Sequence, residues 1–238
     1  MLSVNLFLQN MSQPPNSHIL QINTAFNEAN IGIGQQGKLI AEATNTSQQE
    51  HAAFLQPAIQ DLCKSTGINL SQLAAVSVMN GPGSYTGLRV GLASAKGICY
   101  ALNIPLVCIN TLEWIAHGNI GKEADLVCPM IDARRMEVFT AMYDQQMKMV
   151  LPPKALVLDA ESFSAELNEH RICFVGNGAA KWKEACAHPH AVFPTALQHA
   201  GHFAAISFQA YKKNQFADLA YAEPYYTKEF FNTQKNNR

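Results

Sequence analysis

Between His18 and His117 the sequence switches repeatedly between a period of two and a period of three to four, and this alternation constrains the fold more than any other feature. Residues 18–25 (HILQINTA) alternate as a strand does. Residues 28–34 and 37–43 read as a hairpin closed by Gln35-Gln36-Gly37. Ser47-Gln-Gln-Glu50 has capping-box spacing, and Leu55, Ile59 and Leu62 follow at helical intervals. Pro57 falls inside that helix and predicts a kink, or a break near its start. Residues 74–79 form a buried strand, followed by a glycine-rich turn and a helix from about Leu88 to Leu102. Residues 105–109 are the next strand and 111–117 the next helix, with Thr111 as its cap. The order strand, hairpin, helix, strand, helix, strand, helix predicts an α/β unit built on a mixed sheet.

The second half starts again as a strand near Leu126 and continues as a hairpin-like run over 137–143. A second α/β unit is read from Ile131, with residues 172–176 as one of its inner strands. The seam falls near 118–125, giving one lobe over 18–120 and another over 121–231. Residues 1–17 are expected to be an extension and 232–238 a disordered tail. Tyr221, Tyr225, Tyr226, Phe230 and Phe231 are expected to fold back onto the body. A chain of 238 residues is long enough for two such lobes around a sizeable core.

Composition narrows the function. The formal net charge of −1 gives no long-range pull on nucleic acid, which needs clustered Lys and Arg facing phosphates. The six cysteines are scattered, with no Cys-x-x-Cys pair, as reduced core thiols are. The apolar run Leu2 to Leu8 has no Lys or Arg before it, unlike a signal peptide, and no apolar run reaches membrane-spanning length. These features point to the cytoplasm.

Asn80-Gly-Pro-Gly-Ser-Tyr-Thr-Gly-Leu-Arg89 follows a strand and opens a helix, where backbone N–H groups can face an anion. It lacks the Gly-Lys-[Ser/Thr] ending of a Walker A loop, and Gly87 comes one residue too late for G-x-G-x-x-G. Gly87, Gly91, Ala95 and Cys99 recur every four residues and make a flat helical face. Such a face serves either packing inside the chain or close approach of a partner's helix. Ser84 lies outside any G-x-S-x-G elbow and reads as a helix cap rather than a nucleophile. His51 is followed four residues on by Leu55, so the His-x-x-x-His metal pair is missing. The pairs His199/His202 and His188/His190 have no Cys, Asp or Glu cluster beside them, and no metal is expected.

The loop and helix resemble the G-P-G-S-[FY]-T-G-[LV]-R-[VI]-G motif of the TsaB (YeaZ) family. Three further segments resemble that family in order: 51–57 (HAAFLQP), 131–139 (IDARRMEVF) and 222–228 (AEPYYTK). The resemblance spans about residues 18–230. It implies an actin-like (ASKHA, ribonuclease H-like) fold of two similar lobes with mixed sheets. It also implies a non-catalytic subunit that works with a catalytic TsaD-like partner and a TsaE-like ATPase, and forms a homodimer when alone. Together such proteins install threonylcarbamoyl on adenosine 37 of tRNAs reading codons that start with A, so this chain touches tRNA only indirectly.

The resemblance places the partner interface on the two helices beginning near His51 and Leu88. The residues expected there are His51, Leu55, Ile59 and Leu62 on the first helix, and Gly87, Leu88, Gly91 and Ala95 on the second. An anion or cleft role is expected for Gly81, Gly83, Ser84, Thr86 and Arg89, together with Asp132 and Arg134. Asp132 with Arg134 and Arg135 reads either as an inter-lobe salt bridge or as a polar contact in the cleft. Where the family has I-L-A-I-D-T this chain has Ile19-Leu-Gln-Ile-Asn23-Thr, and a neutral Asn is a poor ligand for Mg²⁺. No cofactor is expected beyond weak or vestigial nucleotide binding. The alternative reading is a freestanding actin-like ATPase or phosphotransferase.

Overall fold

The computed structural model describes residues 17–47, 50–121, 123–194 and 200–227. The expected extension and C-terminal tail, Phe230 and Phe231, and His199 lie outside these residues. Two five-stranded mixed sheets form the frame. The first contains β1 (His18–Asn23), β2 (Ala29–Gln35), β3 (Lys38–Asn45), β4 (Leu73–Gly81) and β5 (Leu106–Asn110), in the order β3-β2-β1-β4-β5. Its hairpins are antiparallel, while β1, β4 and β5 run parallel. The second contains β6 (Leu126–Asp132), β7 (Glu137–Asp144), β8 (Met149–Val157), β9 (Ile172–Val175) and β10 (Ala191–Val192), in the order β10-β9-β6-β7-β8.

Six helices cover the sheets among the described residues. On the outer face of the first sheet lie α1 (His51–Thr66) and α2 (Tyr85–Leu102). Leu55, Ile59 and Leu62 of α1, with Leu92, Ala95 and Cys99 of α2, pack there onto Leu20, Ile22, Ile31, Ile33, Val76 and Val78. Between the sheets lie α3 (Thr111–His117) and α6 (Ala200–Lys212), in one core with Ile19 and Met79 from one sheet and Val127 and Tyr143 from the other. The outer face of the second sheet is closed by α4 (Ser164–Glu169) and α5 (Ala179–Lys183), around Phe163, Phe174 and Trp182. This is an α/β fold of the actin-like kind, with a mixed sheet in each lobe.

Several local expectations need correction. Pro57 does not interrupt α1, which runs through it from His51 to Thr66. The helix takes Glu50 as its cap position with no side-chain cap bond, so Ser47 does not cap it. At α3 the cap is Asn110 rather than Thr111, its side chain accepting from the N–H groups of Leu112 (2.9 Å) and Glu113 (3.2 Å).

The seam does not divide the chain once. After the second sheet, α6 returns to the first: Ser207 donates to Ser77 across 2.8 Å, both fully buried. The segment beyond it bridges Ala217 to Leu106 on the free edge of β5. Residues 200–227 therefore pack with the first lobe, whereas a single cut near 121 assigned them to the second.

Candidate functional site

At the end of β4 the chain enters the glycine-rich loop, and Ser84 caps α2 by accepting from Gly87 N–H at 3.2 Å. The loop's polar groups are largely used at home. Ser84 N–H donates to the Ala25 carbonyl (2.7 Å) and Leu88 N–H to the Ser84 carbonyl (2.8 Å). A Cβ built on Gly83 would strike the Ala25 carbonyl, and one on Gly81 the Tyr225 carbonyl. Carbonyl oxygens thus sit over both glycines, and their negative ends repel the anion expected at Gly81 and Gly83.

The C-terminal segment is strapped over this loop. Tyr225 N–H donates to the Asn80 carbonyl at 2.6 Å. Lys96 Nζ donates to the carbonyls of Ala220 and Ala222, both at 3.1 Å. Arg89 Nε donates to Tyr226 Oη at 3.1 Å while its guanidinium lies 4.0 Å from the centre of the Tyr85 ring. The expected fold-back of Tyr225 and Tyr226 is present; Tyr221 remains 82% exposed. Thr86 is exposed on the first turn of α2.

The eight residues expected at a partner interface all face inward. Leu55, Ile59, Leu62, Leu88 and Ala95 are buried core residues. His51 is buried and its Nε2 lies 3.0 Å from the Asn27 carbonyl, joining α1 to the β1–β2 connection. Gly87 and Gly91 press on the end of β1. A Cβ on Gly87 would collide with the Thr24 carbonyl, and one on Gly91 with Thr24 Oγ1. The stripe of small residues is therefore packing inside the monomer, not a free face.

A second small stripe, Ala93, Gly97 and Ala101, lies on the opposite side of α2, because two residues along a helix is a turn of about 200°. A Cβ on Gly97 would meet nothing within 4 Å. Together with Gln56 of α1, Leu70 and Leu102, this stripe lines an open groove of about 530 Å³ between the two helices.

Comparison with known proteins fits this geometry. The model of the family TsaD, tRNA N6-adenosine threonylcarbamoyltransferase, matches residues 38–228. The TsaB protein of Bacillus subtilis is 28% identical over 170 residues, 70% of this chain and 73% of its own length. That of Escherichia coli is 32% identical over 128 residues, 53% of this chain and 55% of its own. A crystal structure of a Pseudomonas aeruginosa protein described as similar to peptidase YEAZ superposes with a TM-score of 0.74 at 25% identity, covering 89% of this chain and 100% of that one. The chain belongs to this family, as one of its TsaB (YeaZ) members.

The cleft residues expected of such a member do not converge. Asp132, at the end of β6, is paired with Lys181 of α5 and accepts from Arg134 N–H at 2.6 Å. This ion pair lies within the second lobe and is not an inter-lobe bridge. Burial alone would raise the Asp132 carboxyl pKa, but Lys181 and the Arg134 N–H outweigh it and hold the group below its ordinary value. Arg134 and Arg135 are exposed on a left-handed turn (φ +70° and +47°), not on a strand. No group of three His, Cys, Asp or Glu side chains comes together among the described residues. His188 and His190 pack ring to ring 5.3 Å apart, and His202 lies 6.3 Å from His117.

The cavity that does form is lined mostly by other residues: Gln21, Asn23, Phe26, Asn30 and Trp114 among them, with Asn177 from the second lobe. Of the positions the sequence singled out for the cleft only Asn23, standing where the family has Asp, lines it; Gly81, Gly83, Ser84, Thr86, Arg89, Asp132 and Arg134 are not among its lining residues. Gln21 could have been picked out, since it interrupts an apolar alternation opposite two strand glycines.

Proposed function

We propose that the chain is the non-catalytic TsaB-type subunit of tRNA threonylcarbamoyladenosine synthesis. It docks a TsaD-like catalytic subunit, and through it a TsaE-like ATPase, for threonylcarbamoyl transfer to adenosine 37 of tRNAs reading codons that start with A. The names of its B. subtilis and E. coli relatives, tRNA threonylcarbamoyladenosine biosynthesis protein TsaB, support the pathway. The observation that carries the docking role is the open groove along Ala93, Gly97 and Ala101. Small side chains there let a facing helix approach closely, so that many weak dispersion contacts accumulate. Tyr100, 82% exposed on the same helix, adds an aromatic anchor of the kind enriched at interfaces. The same face serves self-association in the partner's absence.

The glycine loop supports a scaffold over a freestanding ATPase, because N–H groups that a phosphate would need are already engaged, Ser84 N–H by the Ala25 carbonyl and Gly87 N–H by the Ser84 side chain. Reconstitution tests the reading: TsaD- and TsaE-like proteins with tRNA, ATP and a preformed, activated threonylcarbamoyl donor should modify tRNA only when this chain is added. Full-rate modification without it overturns the assignment.

A further inference from the structure

The groove between α1 and α2 opens at one end beside the point where the described chain begins. Its lining runs along α2 from Ala93 to Leu102 and reaches Leu70, just before β4. Leu73, three residues after Leu70, pairs with His18 of β1, so the chain enters the first sheet next to that end of the groove. The end of α2 lies at the same edge, because Leu106, four residues beyond Leu102, sits opposite Val76, and Val76 sits opposite Leu20. Ala93 and Leu102 are nine positions apart on one helix, which makes the groove about 13–14 Å long at about 1.5 Å per residue. Gln56 and Ser94 are its polar members, and no charged side chain is among the described lining residues.

The sequence ahead of Ser17 matches this lining in kind and in reach. Residues 2–8 (LSVNLFL) carry five apolar side chains, and residues 1–16 contain no Asp, Glu, Lys or Arg. The eight residues from 9 to 16 (QNMSQPPN) can span at most about 26–29 Å. That is enough to clear a helix layer about 10 Å thick and still follow the groove to Ala93. We propose that residues 2–8 lie in this groove in the free chain, as an internal cover that a docking partner or a second copy must displace. The seat stands on reach and polarity alone, whereas the displacement rests on the docking role. A short tether holds the segment at millimolar effective concentration, so even an intrinsic Kd of about 0.1 mM keeps it seated in roughly nine-tenths of the molecules. With only the remaining tenth open, the partner's apparent affinity is about tenfold weaker than its intrinsic one.

The test uses the full chain with Phe7 replaced by the photoreactive p-benzoylphenylalanine. Irradiation at low micromolar concentration and mass spectrometry of the monomer band should place the crosslinks on Leu70 or on residues 93–102. Prior addition of the TsaD-like subunit should reduce them at least fivefold. A full-length double variant, Leu6→Asp with Phe7→Asp, should remain folded by its thermal melt and bind the TsaD-like subunit about tenfold more tightly than the wild type. The seat is overturned if the monomer band is crosslinked elsewhere or not at all. It is equally overturned if groove crosslinks form only between chains, which assigns the segment to a second copy. Groove crosslinks that survive the partner, with wild-type affinity in the double variant, overturn the displacement and with it the docking role, and leave the seat in place.

Discussion

The Thr24 hydroxyl donates to the Gly87 carbonyl across 2.7 Å, joining residues 63 apart in sequence and fully buried at the Thr24 end. The bond holds the end of β1 against the first turn of α2. One turn further along, Gly91 leaves room for the same Thr24 side chain and for Ile22.

Gly91→Leu is therefore a folding mutation. The added side chain has no exit from between α2 and β1, and overpacking costs about 1–3 kcal/mol. For a domain of this size the melting temperature should fall by roughly 2–12 °C. A thermal melt checks this, and an unchanged melting temperature would place Gly91 on a free surface.

The sequence placed helix α2 correctly but favoured the wrong side of it. Gly87, Gly91 and Ala95 at four-residue intervals suit a foreign helix or the chain's own strand equally well, and only the position of Thr24, 63 residues before Gly87, decides between them. The outward stripe has the same spacing but is diluted by Arg89 and Tyr100, so its pattern is weaker. Strand and helix order was legible because it depends on local periodicity. The return of α6 to the first sheet was not, since a buried Ser77–Ser207 bond leaves no local trace. The inter-lobe cavity was illegible for the same reason: Gln21, Trp114 and Asn177 meet only once both lobes are folded.

Lys96 should hold the C-terminal strap. Its ammonium donates to two carbonyls, and hydrogen bonds to charged groups contribute about 1.5–3 kcal/mol each when well enclosed. Lys96 is only half-buried, so Lys96→Met should cost roughly 1–2 kcal/mol. Hydrogen exchange is the sharper readout: the amides of Ala217 and Tyr225, bonded to Leu106 and Asn80, should exchange at least tenfold faster, with those of β4 unchanged.

Alkaline pH should weaken the fold through its buried thiols. Burial raises Cys99 and Cys108 to about 11 and Cys128 to about 12, from an ordinary 9.0. Between these values the unfolded chain has released protons that the folded chain still holds, so stability falls as pH rises from about 9 to 11. Melting temperatures across that range should decline continuously, and a Cys99→Ala, Cys108→Ala double variant should flatten the decline. An unaltered slope would assign the loss to other groups.

The central claim is that partners dock on the outward stripe of α2, and the most direct test is the affinity of Gly97→Leu for the TsaD-like subunit. A Cβ at Gly97 meets nothing within 4 Å, and Leu is a better helix former than Gly, so the monomer should melt at or above the wild-type temperature. A bulky side chain in the groove should hold the partner's helix away. At about 1.4 kcal/mol per decade, an overpacking cost of about 1–3 kcal/mol corresponds to a five- to hundred-fold weaker complex. Calorimetric titration of the folded variant with the TsaD-like protein should show that loss. Wild-type affinity in a normally melting Gly97→Leu variant would contradict the account.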